Sequence, residues 1–155
     1  MDPGSPSSRR ADVIQHILVA IDGSDTSRKA ARFGHDLAQQ TRARVTLLFV
    51  LEPPRVLPFG FMDAELISGA PRSTEELAAV RRLLDEVAAD LPSAQVEKVV
   101  EMGRPADTIV AMADKLGADH IVVGARGLNA GGRWLLGSVS DRVLQLAGRP
   151  VTVVH

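Results

Sequence analysis

Five short apolar runs, separated by stretches of helical periodicity, fix what this chain can fold into. Residues 16–21 read His-Ile-Leu-Val-Ala-Ile, an almost uninterrupted apolar run of the kind a strand covered on both faces requires. Residues 44–51 repeat the pattern as a second buried strand. Residues 95–102 alternate more weakly, through Val96, Val99 and Val100, and read as a third strand nearer an edge. Residues 119–124 and 150–155 complete the set. Between the first two runs, Ser24 or Asp25 is placed to cap a helix over 26–41, with Ala30, Phe33, Leu37 and Ala38 at helical spacing. Gly34 inside it costs about 1 kcal/mol against alanine, so close packing is its expected reason. A second helix starts at Ser73-Thr74-Glu75-Glu76, buries Leu77, Val80, Leu84, Val87 and Leu91, and stops at Pro92. Pro105 opens a third helix and Gly117 closes it, with Ile109, Met112, Ala113 and Leu116 on its apolar face. A fourth spans 139–147, with Gly148 as its expected cap. Strands alternating with helices of this length imply parallel pairing through right-handed crossovers, hence a doubly wound α/β sheet with helices on both faces.

At 155 residues the chain is expected to form one domain over 16–155, behind a disordered tail over 1–15 that is rich in Pro, Ser and Gly near its start. A formal charge of −1 gives no electrostatic case for nucleic acid or an anionic membrane. Tyrosine is absent, and Trp134 with four phenylalanines makes no aromatic platform for stacking bases. No apolar run is long enough to span a bilayer, and the first fifteen residues lack the apolar centre of a secretory signal. Cysteine is absent, which removes disulfides and thiolate chemistry. The expectation is a soluble cytoplasmic domain. Residues 52–73, with Pro53, Pro54, Pro58, Gly60, Gly69 and Pro71, are the irregular part, a lid, a partner surface or a mobile loop.

The chemistry is expected between residues 124 and 140, Gly-Ala-Arg-Gly-Leu-Asn-Ala-Gly-Gly-Arg-Trp-Leu-Leu-Gly-Ser-Val-Ser. Glycine lets backbone approach a ligand closely, and the helix that follows supplies unpaired N–H groups and partial positive charge. In an open α/β sheet, ligands bind beyond the carboxyl ends of the strands, where the winding reverses. If strands one and four are neighbours there, Asp22-Gly23-Ser24 and Gly124-Ala125-Arg126-Gly127 face each other across one crevice. The stretch Gly132-x4-Gly137-Ser138 looks like a P-loop but has no lysine, and no Gly-x-Gly-x-x-Gly follows strand one. Asp22 reads either as a turn residue that starts a helix or as a contact to a ribose hydroxyl or a metal. Arg126 and Arg133 either close on phosphates or are solvated, and Trp134 anchors its loop. The four histidines, His16, His35, His120 and His155, have no ligand-like spacing and read as structural or surface residues.

Gly124-x2-Gly127-x9-Gly137-Ser138 resembles the ATP-binding motif of the universal stress protein family. Residues 19–24 look like that family's first strand and turn, Leu48-Phe49-Val50 like its second strand, and Gly103-Arg104-Pro105-Ala106 like the turn before its third helix. The resemblance covers residues 16–154. It implies a five-stranded parallel sheet of order 3-2-1-4-5 and a bound ATP, or ADP or AMP, with Mg²⁺ or Mn²⁺ on the phosphates. Carried onto this sequence, Asp22 lies beside the nucleoside, Val50 meets adenine through its backbone, and Gly124 is near the ribose. Gly127, Gly137, Ser138, Val139 and Ser140 hold the phosphates. The resemblance also implies a homodimer paired antiparallel through the terminal strand, whose Val151, Val153 and Val154 make an exposed edge inviting.

A micromolar nucleotide site needs roughly 8 kcal/mol of net binding energy. Several charge-assisted hydrogen bonds at about 1.5–3 kcal/mol each reach that only together with an apolar slot for the base, because association entropy opposes them. Neither paired carboxylates nor a Ser/His/Asp set nor a positioned catalytic lysine can be picked out. The expected function is a nucleotide-responsive stress regulator. The alternatives are a slow metal-dependent ATPase or phosphotransferase using Asp22, and a scaffold without nucleotide.

Overall fold

A computed structural model describes residues 14–53, 74–92, 95–126 and 136–155. Along the chain lie β1 (His16–Ile21), α1 (Asp25–Thr41), β2 (Arg44–Leu51), α2 (Thr74–Ala89), β3 (Val96–Met102), α3 (Pro105–Leu116), β4 (His120–Gly124), α4 (Ser138–Leu146) and β5 (Val151–Val154). The strands form one sheet in the order β3-β2-β1-β4-β5, every pair parallel. This is the doubly wound order expected. The chain steps from β1 to β2 to β3 in one direction and then crosses back to place β4 on the other side of β1. The winding therefore reverses between β1 and β4.

Alternate residues of each strand point to opposite faces, so a strand buried on both sides carries apolar side chains except where a polar one finds a hydrogen-bond partner. Ile17, Val19 and Ile21 face α1 and α2, where they pack with Ala30, Ala31, Ala38, Val80, Leu84 and Val87. Leu18 with Leu48, Ile121 and Val123 faces the other layer, against Ala106, Ile109, Met112 and Ala113 of α3 and Val143 of α4. Gly34 is the contact point between α1 and the sheet: a Cβ there would lie 2.7 Å from Val19 Cγ2.

Polar groups close the amino-terminal end of the sheet. Asp119 accepts the backbone N–H groups of Gln15 and His16, both at 2.9 Å. The buried His16 ring lies between the Leu116 carbonyl at Nδ1 (3.2 Å) and Thr46 Oγ1 at Nε2 (2.8 Å). A carbonyl only accepts, so Nδ1 carries a proton, and in neutral His16 the Thr46 hydroxyl donates to Nε2. His35 and His120 likewise hold structural hydrogen bonds. His35 Nε2 meets the Pro92 carbonyl at 2.7 Å, and His120 Nε2 meets Thr152 Oγ1 at 2.8 Å. Arg149 binds the end of α3 through the carbonyls of Ala113 and Ala118 and the Asp114 carboxylate.

Some sequence expectations shift. Helix α4 ends on Ala147 at φ −69°, ψ 120°, so Gly148 does not supply a left-handed cap. Phe33 is 42% exposed and belongs to the outer flank of α1. Leu91 is buried from beyond the end of α2. The expected tail over 1–15 lies outside the described residues except for Ile14 and Gln15, and the 52–73 segment does so except for Glu52 and Pro53.

Candidate functional site at the β1/β4 switch point

Three segments converge beyond the carboxyl ends of β1 and β4. The first is the turn after β1. Asp22 Oδ1 accepts both the backbone N–H of Ser24 (2.9 Å) and its hydroxyl (2.5 Å). The Ser24 hydroxyl in turn accepts the N–H of Ser27 at 3.2 Å, capping α1. Gly23 takes φ +88° between them, a conformation that side chains rarely adopt. Asp22 is thus fixed in orientation by a turn of its own making, and it remains half-buried at the edge of the crevice.

The second segment is the end of β4. Gly124 packs on the first turn of α1, where an added Cβ would sit 2.7 Å from Thr26 Oγ1 and 2.9 Å from the Ser27 nitrogen. The Arg126 carbonyl accepts the Thr26 hydroxyl and lies 3.4 Å from the Ser24 oxygen, whose one proton goes to the closer Asp22 carboxylate. These contacts tie the β1 turn to the β4 turn, as neighbouring strands at the switch point allow. Thr26 was not singled out in the sequence, because a hydroxyl in a first helical turn ordinarily has local partners.

The third segment is the start of α4. Gly137 donates its N–H to the Ala125 carbonyl at 2.6 Å, and a Cβ on it would meet that oxygen at 3.1 Å. Ser140 is buried, and its hydroxyl lies 3.1 Å from the Ala125 carbonyl and 2.9 Å from that of Gly137. One hydroxyl proton serves one of these acceptors at a time, so Ser140 works here as a staple between α4 and β4. Ser138 and Val139 are exposed. As the first positions of the helix, residues 138–140 have N–H groups without intrahelical acceptors. Gly137, the N-cap, offers no side-chain acceptor, whereas α1 is capped by Ser24. An anion at the α4 N-terminus would satisfy these donors and meet the positive end of the helix dipole.

Val50 lies near the end of β2, paired with Glu101 of β3, half-buried on the α3 side. The register that sets Ile21 opposite Phe49 brings Val50 level with the turn holding Asp22. Of the expected site residues, the structure brings Asp22, Gly124, Gly137, Ser138, Val139 and Ser140 to one end of the sheet, with Val50 on the neighbouring strand end. Gly127, Arg133 and Trp134 lie outside the described residues. Among the described residues, no group of three His, Cys, Asp or Glu side chains could hold a metal. The shallow recess at the opposite end of the sheet, lined by Arg44, Val45, Gln95, Val96 and Glu97, has no comparable array of helix amides.

The universal stress protein family profile matches residues 14–155. The chain belongs to the universal stress protein family. It is 34% identical to a universal stress protein of Methanocaldococcus jannaschii, over 92% of this chain and 83% of that protein. The solved universal stress protein UspA of Lactobacillus plantarum superposes with a TM-score of 0.69 at 25% identity, over 92% of this chain and 98% of that one. A universal stress protein crystallised in complex with cAMP matches with a TM-score of 0.65 at 26% identity, over 92% and 98%. Family membership and the sheet order 3-2-1-4-5 therefore agree with the resemblance read from the motif residues. No helix among the described residues is long and apolar enough to cross a membrane.

Proposed function

We propose that this protein is a cytoplasmic, nucleotide-binding stress regulator that takes ATP, or ADP or AMP, at the β1/β4 switch point. The observation that carries the reading is the α4 N-terminus: three leading amides, a glycine N-cap without a side-chain acceptor, and exposure beyond the carboxyl end of the sheet. The cAMP complex of a relative 26% identical supports an adenine nucleotide as the ligand. In this reading the amides of residues 138–140, the Ser138 hydroxyl and Gly127 hold the phosphates, while Ser140 fixes the helix that presents them. Asp22 and Gly124 lie at the nucleoside end, and the Val50 backbone meets the base. A divalent ion, Mg²⁺ or Mn²⁺, comes with the phosphates. The regulator acts as a homodimer, and its nucleotide state alters the dimer or the segment over 52–73.

The test is calorimetry with ATP and Mg²⁺ on wild type and on Ser138→Asp. An acidic residue in the first helical turn favours the helix, by about 0.3–1 kcal/mol, but occupies the place of the phosphates with a like charge. The expected outcome is thermal stability equal to or slightly above that of wild type, with ATP affinity at least about ten-fold weaker, a change of ~1.4 kcal/mol. Equal affinities would remove the site assignment. No binding by wild type would favour a scaffold without nucleotide. The slow ATPase reading draws on the fixed orientation of Asp22. It requires phosphate release that scales with protein concentration and is lost in Asp22→Asn while ATP still binds.

A further inference from the structure

We infer that Ala125 is the joint through which occupancy of the α4 N-terminus sets the geometry of the β5 edge, so that bound polyphosphate tightens pairing between two copies of the chain. This rests on the reading of that N-terminus as the nucleotide site, and it names the element and the direction of its regulation.

Ala125 is fully buried and is bonded on both sides. Its carbonyl accepts the Gly137 N–H (2.6 Å) and lies within reach of the Ser140 hydroxyl (3.1 Å), both at the start of α4. Its N–H donates to the Val154 carbonyl of β5 at 2.7 Å. One residue therefore joins the proposed phosphate donors to the last turn of the pleat in the outermost strand. The same ladder has Ile121 N–H donating to the Pro150 carbonyl. Backbone groups alternate in direction along a strand, so with Pro150 and Val154 turned toward β4, Val151 and Val153 present their N–H and C=O outward. The Ala125–Val154 bond is the one that fixes the direction of the final outward groups.

An anion held by the amides of residues 138–140 draws the first turn of α4 into one position. That position holds Gly137 and Ser140 on the Ala125 carbonyl, and Ala125 then holds Val154 in register with Gly124. Without the anion, the exposed first turn at Ser138 and Val139 lacks that restraint, and the joint is looser. Coupling between two binding events is reciprocal, so a nucleotide that tightens the dimer is itself bound more tightly by the dimer.

The experiment is sedimentation of the full chain across a concentration series, without nucleotide and with ATP and Mg²⁺ at saturation, paired with calorimetry. The dimer dissociation constant is expected to fall by about five-fold or more at saturation. In Ser140→Ala the factor should shrink to less than half the wild-type value, and in Ser140→Thr, which keeps the hydroxyl, it should be retained. Reading the factor at saturation separates coupling from any change in ATP affinity. Amide exchange at Ala125 in the wild type should slow by a similar factor with ATP, a readout that does not depend on the variants folding. If ATP binds while both the dimer constant and Ala125 exchange stay fixed, the coupling is overturned and the site reading stands. If calorimetry shows no ATP binding, the site reading itself fails. A chain that is monomeric in both conditions also overturns the inference.

Discussion

At the scale of single residues, two positions carry consequences that can be measured directly. Gly34 faces Val19 so closely that a methyl group must displace it. Overpacking of this kind costs about 1–3 kcal/mol, against the ~1 kcal/mol that alanine gains in a helix interior. Gly34→Ala should therefore lower the urea midpoint despite its better helix propensity, whereas the same change on an exposed helix face would raise it. The second position is His16. Burial, with the Arg44 guanidinium adding to it, holds its pKa below the ordinary histidine value of 6.5 despite the opposing Leu116 carbonyl, Glu97 and Asp119; burial does the same to His120. The unfolded chain then binds more protons than the folded one below that value, so stability is complete above pH 6.5 and is lost as pH falls through the depressed folded values. Protonated His16 would need both ring nitrogens as donors, turning the Thr46 hydroxyl toward Glu97 Oε2 at 3.4 Å. Melting temperatures between pH 7.5 and 5.5 should fall more steeply for wild type than for a His16→Gln, His120→Gln double variant. Gly34 was legible because a glycine inside a helical pattern asks for a reason. The His16 partners were not, since they sit on three other segments of the chain.

Among the elements, the inner strands β1, β2 and β4 were the most legible, because burial on both faces leaves a continuous apolar run that no turn or exposed helix shows. Helix ends were less so. Gly148 sits where a cap belongs, but Ala147 leaves the helix in an extended conformation that does not require glycine. The Gly-rich segment was legible in spacing, yet spacing does not say what each glycine or serine touches. Gly124 and Gly137 prove to be sites of close backbone packing, and Ser140 binds carbonyls rather than facing outward. Helix α1 offers a direct check on how its start builds the site. Ser24→Ala removes both the cap on Ser27 and the hydroxyl that orients Asp22. A stability loss of about 0.5–2 kcal/mol is expected from the cap alone, measured by urea unfolding. If Asp22 contacts the nucleoside, ATP affinity should fall beyond what Thr26→Val produces, a change that cuts the tie to Arg126 and the 3.3 Å contact with the Ser24 hydroxyl but leaves both Ser24 bonds to Asp22.

On the whole-molecule scale, the sheet has two edges of opposite character. The outer strand β3 carries exposed Glu97 and Lys98, with Lys98 bound to Asp85 of α2 at 2.5 Å, and charges of this kind blunt an edge against pairing. The other outer strand, β5, reads Val-Thr-Val-Val without a charge, and all four residues are half-buried. Leu144 on the adjacent α4 is 44% exposed and adds apolar surface to the same half of the molecule. The contrast selects β5 as the edge through which two copies would pair. Val153 is the residue to test, because the alternation set by Pro150 and Val154 turns its N–H away from β4. Proline at such a position removes a donor only from the outward side and is tolerated on edge strands. Val153→Pro should therefore keep the fold, with a modest drop in melting temperature from lost side-chain packing. It should raise the dimer dissociation constant by at least about ten-fold, the equivalent of ~1.4 kcal/mol. Thr152→Pro, which removes an inward donor, should instead damage the β4–β5 ladder and lower the stability of the monomer itself. Sedimentation of the two variants side by side separates the effects, and a Val153→Pro dimer as tight as wild type would place the contact elsewhere on the molecule.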